Sequence, residues 1–283
     1  MNKRELKQRL KVVETLCVRA GSLLSRYQKK IDKLKIQNKQ TQGIASEADW
    51  ASEKLIQKTL SKAFPTDDFL AEESYFRQQQ EGTSPQIKSL KEKSALWVVD
   101  PLDGTNNFLN GFDYYSICIS LLVKGKPVLG VVYRPSSDEF FFALKGEGSF
   151  KKKLNSPRSR KKILSVVKSK RTLKDSILVT GFVTEKGQSL EQEFTRFKNV
   201  MHRVRAVRRL GSAALDLCYV AEGIFDGFWE TGLAPWDVAA AGLICQEAGV
   251  KITDINNQKF SPFSNSFLAS RGSLHKKLLD LLA

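Results

Sequence analysis

The fold turns on the run Ala95-Leu96-Trp97-Val98-Val99-Asp100-Pro101-Leu102-Asp103-Gly104-Thr105-Asn106-Asn107-Phe108. Its first five residues are apolar, include two β-branched side chains and are too few for a helix, so they read as a short buried strand. Pro101 has no N–H for a sheet ladder, and the strand is expected to end at Asp100. Two carboxylates three residues apart then lead into a glycine, a hydroxyl and two amides. Carboxylate oxygens are hard ligands of the kind Mg2+ takes, and a protein offers that ion only a few, leaving the rest to water and phosphate. Gly104 lets the backbone approach an anion closely, and a short helix opening at Thr105 would aim free N–H groups at it. The same residues also suit a plain type I turn followed by a helix N-cap, and both readings stand at this point.

Outward from this run, other carboxylates fall at the ends of elements. Ser46 suits a helix N-cap with Asp49 at the third helical position, opening a helix whose apolar stripe runs to Pro65. Phe69-Leu70-Ala71 reads as a strand ending in Glu72-Glu73-Ser74, two adjacent carboxylates that repel each other unless a cation or water separates them. Pro235 suits the first position of a helix from Trp236 to Ala248, which places Asp237 in its first turn. A capping or dipole role explains Asp49 and Asp237 equally well.

The rest of the chain supplies the frame. An amphipathic helix is expected from Lys7 to Ile31 along Leu6, Leu10, Val13, Cys17, Ala20 and Leu24. Residues 75–94 are polar and read as a surface loop. Strands are expected over 114–123, 127–134, 139–144, 177–181, 203–208, 225–229, 251–254 and 266–270. Further helices are expected over 188–200, 211–222 and 273–282. Gly146-Glu147-Gly148 is a turn without the context of a dinucleotide loop, and no P-loop motif occurs. Mixed strands and helices of this kind suggest layered α/β packing.

Composition narrows the chemistry. At 283 residues and 41% hydrophobic, the chain can bury a large core as one domain or two closely packed halves. No apolar run reaches the roughly 18 residues of a membrane helix, and the charged opening is unlike a signal peptide, so a cytoplasmic location is expected. Cys17, Cys118, Cys218 and Cys245 lack metal or redox spacing and read as reduced core residues. His202 and His275, the only histidines, read as surface or packing residues, which argues against a Ser-His-Asp triad and favours carboxylate and metal chemistry. The net charge of +16 is concentrated in residues 1–40 and 145–174, with twelve Lys or Arg in each. The remaining chain is therefore mildly acidic. Those segments are solvated faces or a patch for RNA or an acidic partner.

Taken together and in order, Glu72-Glu73-Ser74, Asp100 to Phe108, and Trp236-Asp237-Val238-Ala239-Ala240-Ala241-Gly242 with Glu247-Ala248-Gly249 closely resemble the inositol monophosphatase family, from about Ala20 to Ser270. The resemblance implies an α/β/α/β/α layered sandwich, a single catalytic domain over 1–283 with halves of about 1–150 and 175–283, and usually a homodimer. It implies a Mg2+-dependent, lithium-sensitive phosphomonoesterase acting on a small phosphorylated polyol or sugar such as myo-inositol 1-phosphate. Related chemistry on a sugar bisphosphate or adenosine 3′,5′-bisphosphate is the alternative within the class. Carried over by motif, Glu72, Asp100, Asp103, Asp237 and the Leu102 carbonyl are expected metal ligands. Asp49 and Thr105, with Glu72, are the expected catalytic residues; Gly104 and Thr105 hold phosphate; Asp103, Ala213 and Glu230 contact the substrate. Arg208 to Leu217 looks most like the bacterial inositol monophosphatase branch. Three positions depart from the pattern: Gly43-Ile44-Ala45-Ser46 replaces a common Asp-x-Val-Thr, Lys39 stands one residue out of register for a mobile lysine, and Asp113 replaces a common Pro.

Overall fold

The computed structural model describes residues 1–38, 44–156, 159, 161–165, 171–182 and 188–283. Lys39, Gly43 and part of the basic stretch 145–174 lie outside the described residues.

The first half builds a seven-stranded sheet. Helix α1 (Lys3–Gln28) is followed by the small antiparallel pair β1 (Ile36–Asn38) and β2 (Ile44–Ser46), then α2 (Glu47–Ala63), β3 (Asp68–Ala71), α3 (Glu72–Gln80) and α4 (Ile87–Leu90). Next come β4 (Leu96–Asp103), α5 (Thr105–Leu109), β5 (Ser116–Val123), β6 (Lys126–Arg134), β7 (Glu139–Leu144), β8 (Ser149–Lys152) and β9 (Lys162–Ile163). The strands lie side by side in chain order from β3 to β9; only β3 and β4 run parallel. The second half gives β10 (Ile177–Thr180), α6 (Gln188–Met201), β11 (Ala206–Arg208), α7 (Ala213–Glu222), β12 (Gly227–Thr231), α8 (Pro235–Glu247), β13 (Lys251–Thr253), β14 (Ser266–Ser270) and α9 (Gly272–Leu282). Its five-stranded sheet has the order β11-β10-β12-β14-β13.

Apolar faces stack these pieces into five layers. The stripe Leu6, Leu10, Val13, Cys17, Ala20 and Leu24 of α1 joins Ile56 and Leu60 of α2 against Tyr115, Ile117 and Val131 on one face of the large sheet. Helices α7 and α8 cover the opposite face and meet the second sheet at Val179, Phe228 and Phe267. That sheet's outer face, through Leu178, Trp229 and Leu268, packs on Val200 of α6 and Leu274 and Leu278 of α9. The α/β/α/β/α order is thus the one the resemblance implied. All four cysteines are buried and free. His202 is exposed and His275 fully buried.

Three local expectations need correction. Strand β4 does not stop at Asp100: it runs through Pro101 to Asp103, because the register against β5 shifts between Asp100 (opposite Cys118) and Asp103 (opposite Ser116). The missing proline N–H falls in that irregularity, where no ladder bond is required. Residues 75–94 are not a plain loop: α3 occupies their start because Glu53 of α2 accepts from Glu73 N (2.8 Å), Ser74 N (2.9 Å) and the Ser74 hydroxyl, capping a helix whose own N-cap, Ala71, offers no side chain. Of the adjacent carboxylates Glu72 and Glu73, the second is buried and accepts from Trp50 Nε1 at 3.1 Å. Glu230 lies within β12, not at its end, since pairing with β14 continues through Glu230–Phe267 and Thr231–Ser266.

Candidate active site

The strand irregularity at Asp100–Asp103, the opening of α5, the N-termini of α2, α3, α7 and α8, and strand β12 supply the side chains singled out in the sequence. At α2, Asp49 is buried and its two oxygens do different work. Oδ2 accepts from Ser46 N (2.7 Å) and Ser46 Oγ (2.6 Å), while Oδ1 accepts from Thr105 Oγ1 at 2.8 Å. Thr105 Oγ1 also lies 3.0 Å from the Leu102 carbonyl. The serine found where the pattern has threonine therefore keeps its capping function. Burial pushes the Asp49 carboxyl up to about 6, against the lowering bonds from Ser46 and Thr105.

Three other aspartates are held by one oxygen only. Asp100 Oδ1 accepts from Leu102 N at 2.9 Å. Asp103 Oδ2 accepts from the Ser212 hydroxyl, from Ala214 N at 3.2 Å and from Ser116 Oγ at 3.2 Å. Asp237 Oδ2 accepts from Ala234 N at 2.7 Å, the capping role its helix position suggested. Among the described residues, the second oxygen of each receives no hydrogen bond and no Lys or Arg pairs with it.

The carboxylates also share one field. Burial raises the Asp100 carboxyl well above its ordinary value, with Glu72, Asp103 and Asp237 adding to the rise. Asp237 is raised well above its ordinary value by burial, then by Glu72 and Asp103; Asp103 is raised by burial. Uncompensated charges of one sign in a buried setting call for a cation. Among the described residues no three His, Cys, Asp or Glu side chains close into a ready-made cage. An open set of this kind suits Mg2+, which keeps several waters and takes oxygen ligands from substrate phosphate. The donors are all hard oxygens, so their chemistry fits the ion the sequence suggests.

Around this centre, Gly104 adopts φ +91°, and a Cβ there would stand 3.0 Å from Tyr114 O and 3.1 Å from Gly211 O, so only glycine fits. The first bond within α5 is Phe108 N to Gly104 O at 3.0 Å, which leaves the opening N–H groups without helical partners. Ala213 begins α7 directly after its N-cap Ser212. Glu230 sits further off, its carboxyl raised well above the ordinary range by burial and then by Asp216 and Asp103. Gly181 packs directly on it, for a Cβ at 181 would lie 2.0 Å from Glu230 Oε1.

Several supports are not evident from the motifs. Ser212 and Ser116 orient Asp103; Ser52 Oγ holds the Pro101 carbonyl at 3.0 Å; Asn107 Nδ2 ties the Tyr114 and Leu210 carbonyls, each at 2.7 Å. Only Ser212 had a local signal, a serine directly before the residues of a helix start, where it serves as N-cap.

Five alternating layers, with an acidic centre where a bulged strand meets helix N-termini, define a layered α/β phosphatase. The chain belongs to the inositol monophosphatase family, whose model matches residues 5–283. It is 37% identical over 271 residues to an inositol-1-monophosphatase of Mesorhizobium japonicum, covering 95% of this chain and 94% of that one. It is 36% identical over 262 residues to the Nus factor SuhB of Pasteurella multocida, covering 93% and 91%. Among solved structures, the extragenic suppressor protein suhB from Bartonella henselae superposes with a TM-score of 0.82 at 35% identity, over 96% of this chain and 97% of that one.

Proposed function

We propose that the chain hydrolyses myo-inositol 1-phosphate and related small phosphate monoesters to the alcohol and phosphate, using Mg2+ and water, with both halves acting as one catalytic domain. The observation that carries this reading is the set of anchored aspartates, Asp100, Asp103 and Asp237, each with one oxygen fixed by the scaffold and the other left to the site. The bond from Ala214 N to Asp103 supports the single unit, since it links the second half to the first at the centre.

Glu72, Asp100, Asp103, Asp237 and the Leu102 carbonyl would hold the metal. Mg2+ bound there supplies positive charge that acidifies water and stabilises negative charge on the phosphate and the leaving oxygen. Asp49 and Thr105, joined at 2.8 Å, orient the attacking water, and Asp49 takes its proton; Glu72 raises the Asp49 carboxyl and so helps keep it basic. The opening N–H groups at Gly104 and Thr105 hold phosphate oxygens. Asp103, the backbone of Ala213 and Glu230 face the polyol hydroxyls and set substrate choice.

The test measures phosphate release from inositol 1-phosphate, fructose 1,6-bisphosphate and adenosine 3′,5′-bisphosphate with Mg2+, with EDTA and with added Li+. We expect inositol 1-phosphate to be preferred, EDTA to abolish release and Li+ to inhibit it. Preference for a bisphosphate would move the specificity, and no Mg2+-dependent release from any of them would end the reading. The implied homodimer is checked by sedimentation of the purified chain, and the cytoplasmic location by fractionating cells that express it.

A second reading, binding of RNA or an acidic partner through residues 1–40 and 145–174, is favoured by one observation: the two basic segments meet, through Lys3–Glu147 (2.6 Å) and Lys152–Glu14 (2.8 Å). Lys151 and Lys162 are also engaged, with Glu222 at 2.8 and 2.9 Å, so the patch rests on exposed Arg4, Lys7, Lys11, Lys153 and Lys161. Neutralising those five should abolish any salt-sensitive RNA affinity; no RNA binding at low salt removes this reading.

A further inference from the structure

At the end of α8 remote from Asp237, the protein has a cleft of about 450 Å3 whose composition differs from both the acidic centre and the α1 patch. Its rim carries Lys91, Lys124, Lys126 and Lys145, all exposed. Phe260, Phe263, Leu243, Pro127 and Pro262 form its apolar wall, the two phenylalanines half-buried and the other three buried. Asp237 and Gln246, which lines the cleft, are nine positions apart in α8, roughly 14 Å at 1.5 Å per residue.

Local structure gathers these lysines. The β5–β6 hairpin turns on Lys124 and Gly125, both with positive φ (48° and 71°), a conformation uncommon for a residue with a side chain. Lys124 N donates to Lys93 O at 2.9 Å, and a Cβ on Gly125 would lie 3.2 Å from Lys91 O, so the hairpin tip grips the segment carrying Lys91. On the wall, Phe260 seats its ring against Gly242 of α8, where a Cβ would come within 2.2 Å of it. Lys91 Nζ stands 5.4 Å from the Phe263 ring centroid.

Charge sets the cleft apart. Lys3, Lys151, Lys152 and Lys162 of the basic segments are already matched by carboxylates. Among the described residues, none of the four cleft lysines has an acidic partner within ion-pair distance. The one carboxylate lining the cleft, Glu247, is occupied: it accepts from Gly146 N at 2.8 Å and Gly148 N at 2.9 Å. Four like charges converging without a counter-ion beside apolar rings are complementary to an anion that carries a flat apolar group.

We propose that this cleft binds a nucleotide, a compound that joins a planar ring to a run of phosphates. The lysines take the phosphates and the Phe260–Phe263 wall takes the base, the division of labour by which basic and aromatic side chains hold nucleotides elsewhere. A compact ligand is favoured over a long polymer because the path from Lys145 toward α1 passes the carboxylates of Glu147 and Glu247, and Lys3 is spent on Glu147. The site is separate from the acidic centre and does not depend on which phosphate ester is hydrolysed there.

Equilibrium dialysis of the full chain against ATP in EDTA, so that the acidic centre repels the probe, tests the site. Saturable one-to-one binding is expected, weakened at least about tenfold in Lys124→Glu/Lys126→Glu, weakened in Phe263→Ala and unchanged in Lys7→Glu. Tripolyphosphate should bind more weakly than ATP and be indifferent to Phe263→Ala. Lys124→Ala/Lys126→Ala, checked for an unchanged melting temperature, provides a milder second variant, and undiminished ATP binding in it overturns the proposal. So does no ATP binding up to about 1 mM, tripolyphosphate binding as tightly as ATP, or an RNA of about ten nucleotides binding where ATP does not.

Discussion

At Asp100, Asp103 and Asp237, one carboxylate oxygen is held by the scaffold and the other receives no hydrogen bond among the described residues, a division under which a capping residue could also serve as the proposed ligand. The capping and metal readings of Asp237 compete in the sequence; in the structure Oδ2 caps α8, which leaves Oδ1 for the metal role proposed above. The arrangement has a cost that can be measured. Without a cation the clustered carboxylates disfavour the folded state, because burial and mutual repulsion raise them above their unfolded values. Asp100→Asn removes one such charge while keeping the acceptor for Leu102 N. In EDTA we expect this variant to be more stable than the parent by about 1 to 2 kcal/mol. Mg2+-dependent phosphate release should fall at least about a hundredfold. Thermal melting and a phosphate assay on the same sample decide it; a lower melting temperature, or substantial residual turnover, contradicts the role given to Asp100.

Elements position these residues through contacts that leave almost no slack. Gly130 of β6 lies so close to α8 that an added Cβ would stand 2.5 Å from Ala240 O, a backbone atom that cannot swing away. Gly130→Ala should therefore push α8, and with it Asp237, off the sheet, destabilising the fold by about 1 to 3 kcal/mol and weakening Mg2+ binding. Urea unfolding and Mg2+ titration of activity test both halves of that statement; a fully stable variant with unchanged Mg2+ demand would show that the helix can yield. Glu53 acts across elements, capping α3 and so fixing the start from which Glu72 projects. Glu53→Ala is expected to cost about 1 to 2 kcal/mol, with a raised Mg2+ requirement seen in the same titration, whereas an unchanged requirement would confine Glu53 to stability. These two contacts also mark what the sequence could carry. Ser46 with Asp49 and Pro235 with Asp237 were readable because a cap and its helix are neighbours in the chain, and the stripe of α1 was readable from its spacing. Helix α3 was not, since its cap comes from Glu53 rather than from a neighbour in the chain, and neither was β4 beyond Pro101, because the tolerance for proline is set by the register of β5.

On the scale of the whole molecule, two buried titrating regions pull stability in opposite directions as the medium becomes acidic. His275 of α9 is fully buried between β13 and β14, with Nε2 2.9 Å from Thr253 Oγ1 and Nδ1 2.9 Å from Ser270 Oγ. Thr253 Oγ1 also reaches the Asp254 carbonyl at 2.7 Å and Ser270 Oγ the Arg271 carbonyl at 3.3 Å, so either hydroxyl oxygen can accept a ring N–H while donating onward. What disfavours a second ring proton is the burial of the charge rather than a missing hydrogen-bond partner. Burial, with a smaller push from Lys251, accordingly lowers His275 from 6.5 to about 4. Above pH 6.5 the ring is neutral folded and unfolded, and it contributes no pH dependence. Between 6.5 and 4 the unfolded chain takes up a proton that the folded chain refuses, so stability falls with pH, by up to about 3 kcal/mol. The carboxylates of the metal-free acidic centre, raised on folding, act with the opposite sign, since they bind protons more readily in the folded state. Saturating Mg2+ removes that opposing contribution by holding them ionised, so metal-loaded protein should lose stability more steeply on acidification than protein in EDTA. Urea midpoints at pH 7 and pH 4.5 for the parent and for His275→Gln separate the two effects. The His275→Gln chain should be less stable at pH 7, having lost a fitted ring, yet show a shallower decline toward pH 4.5; equal slopes would mean that the proton refused by His275 does not govern acid lability.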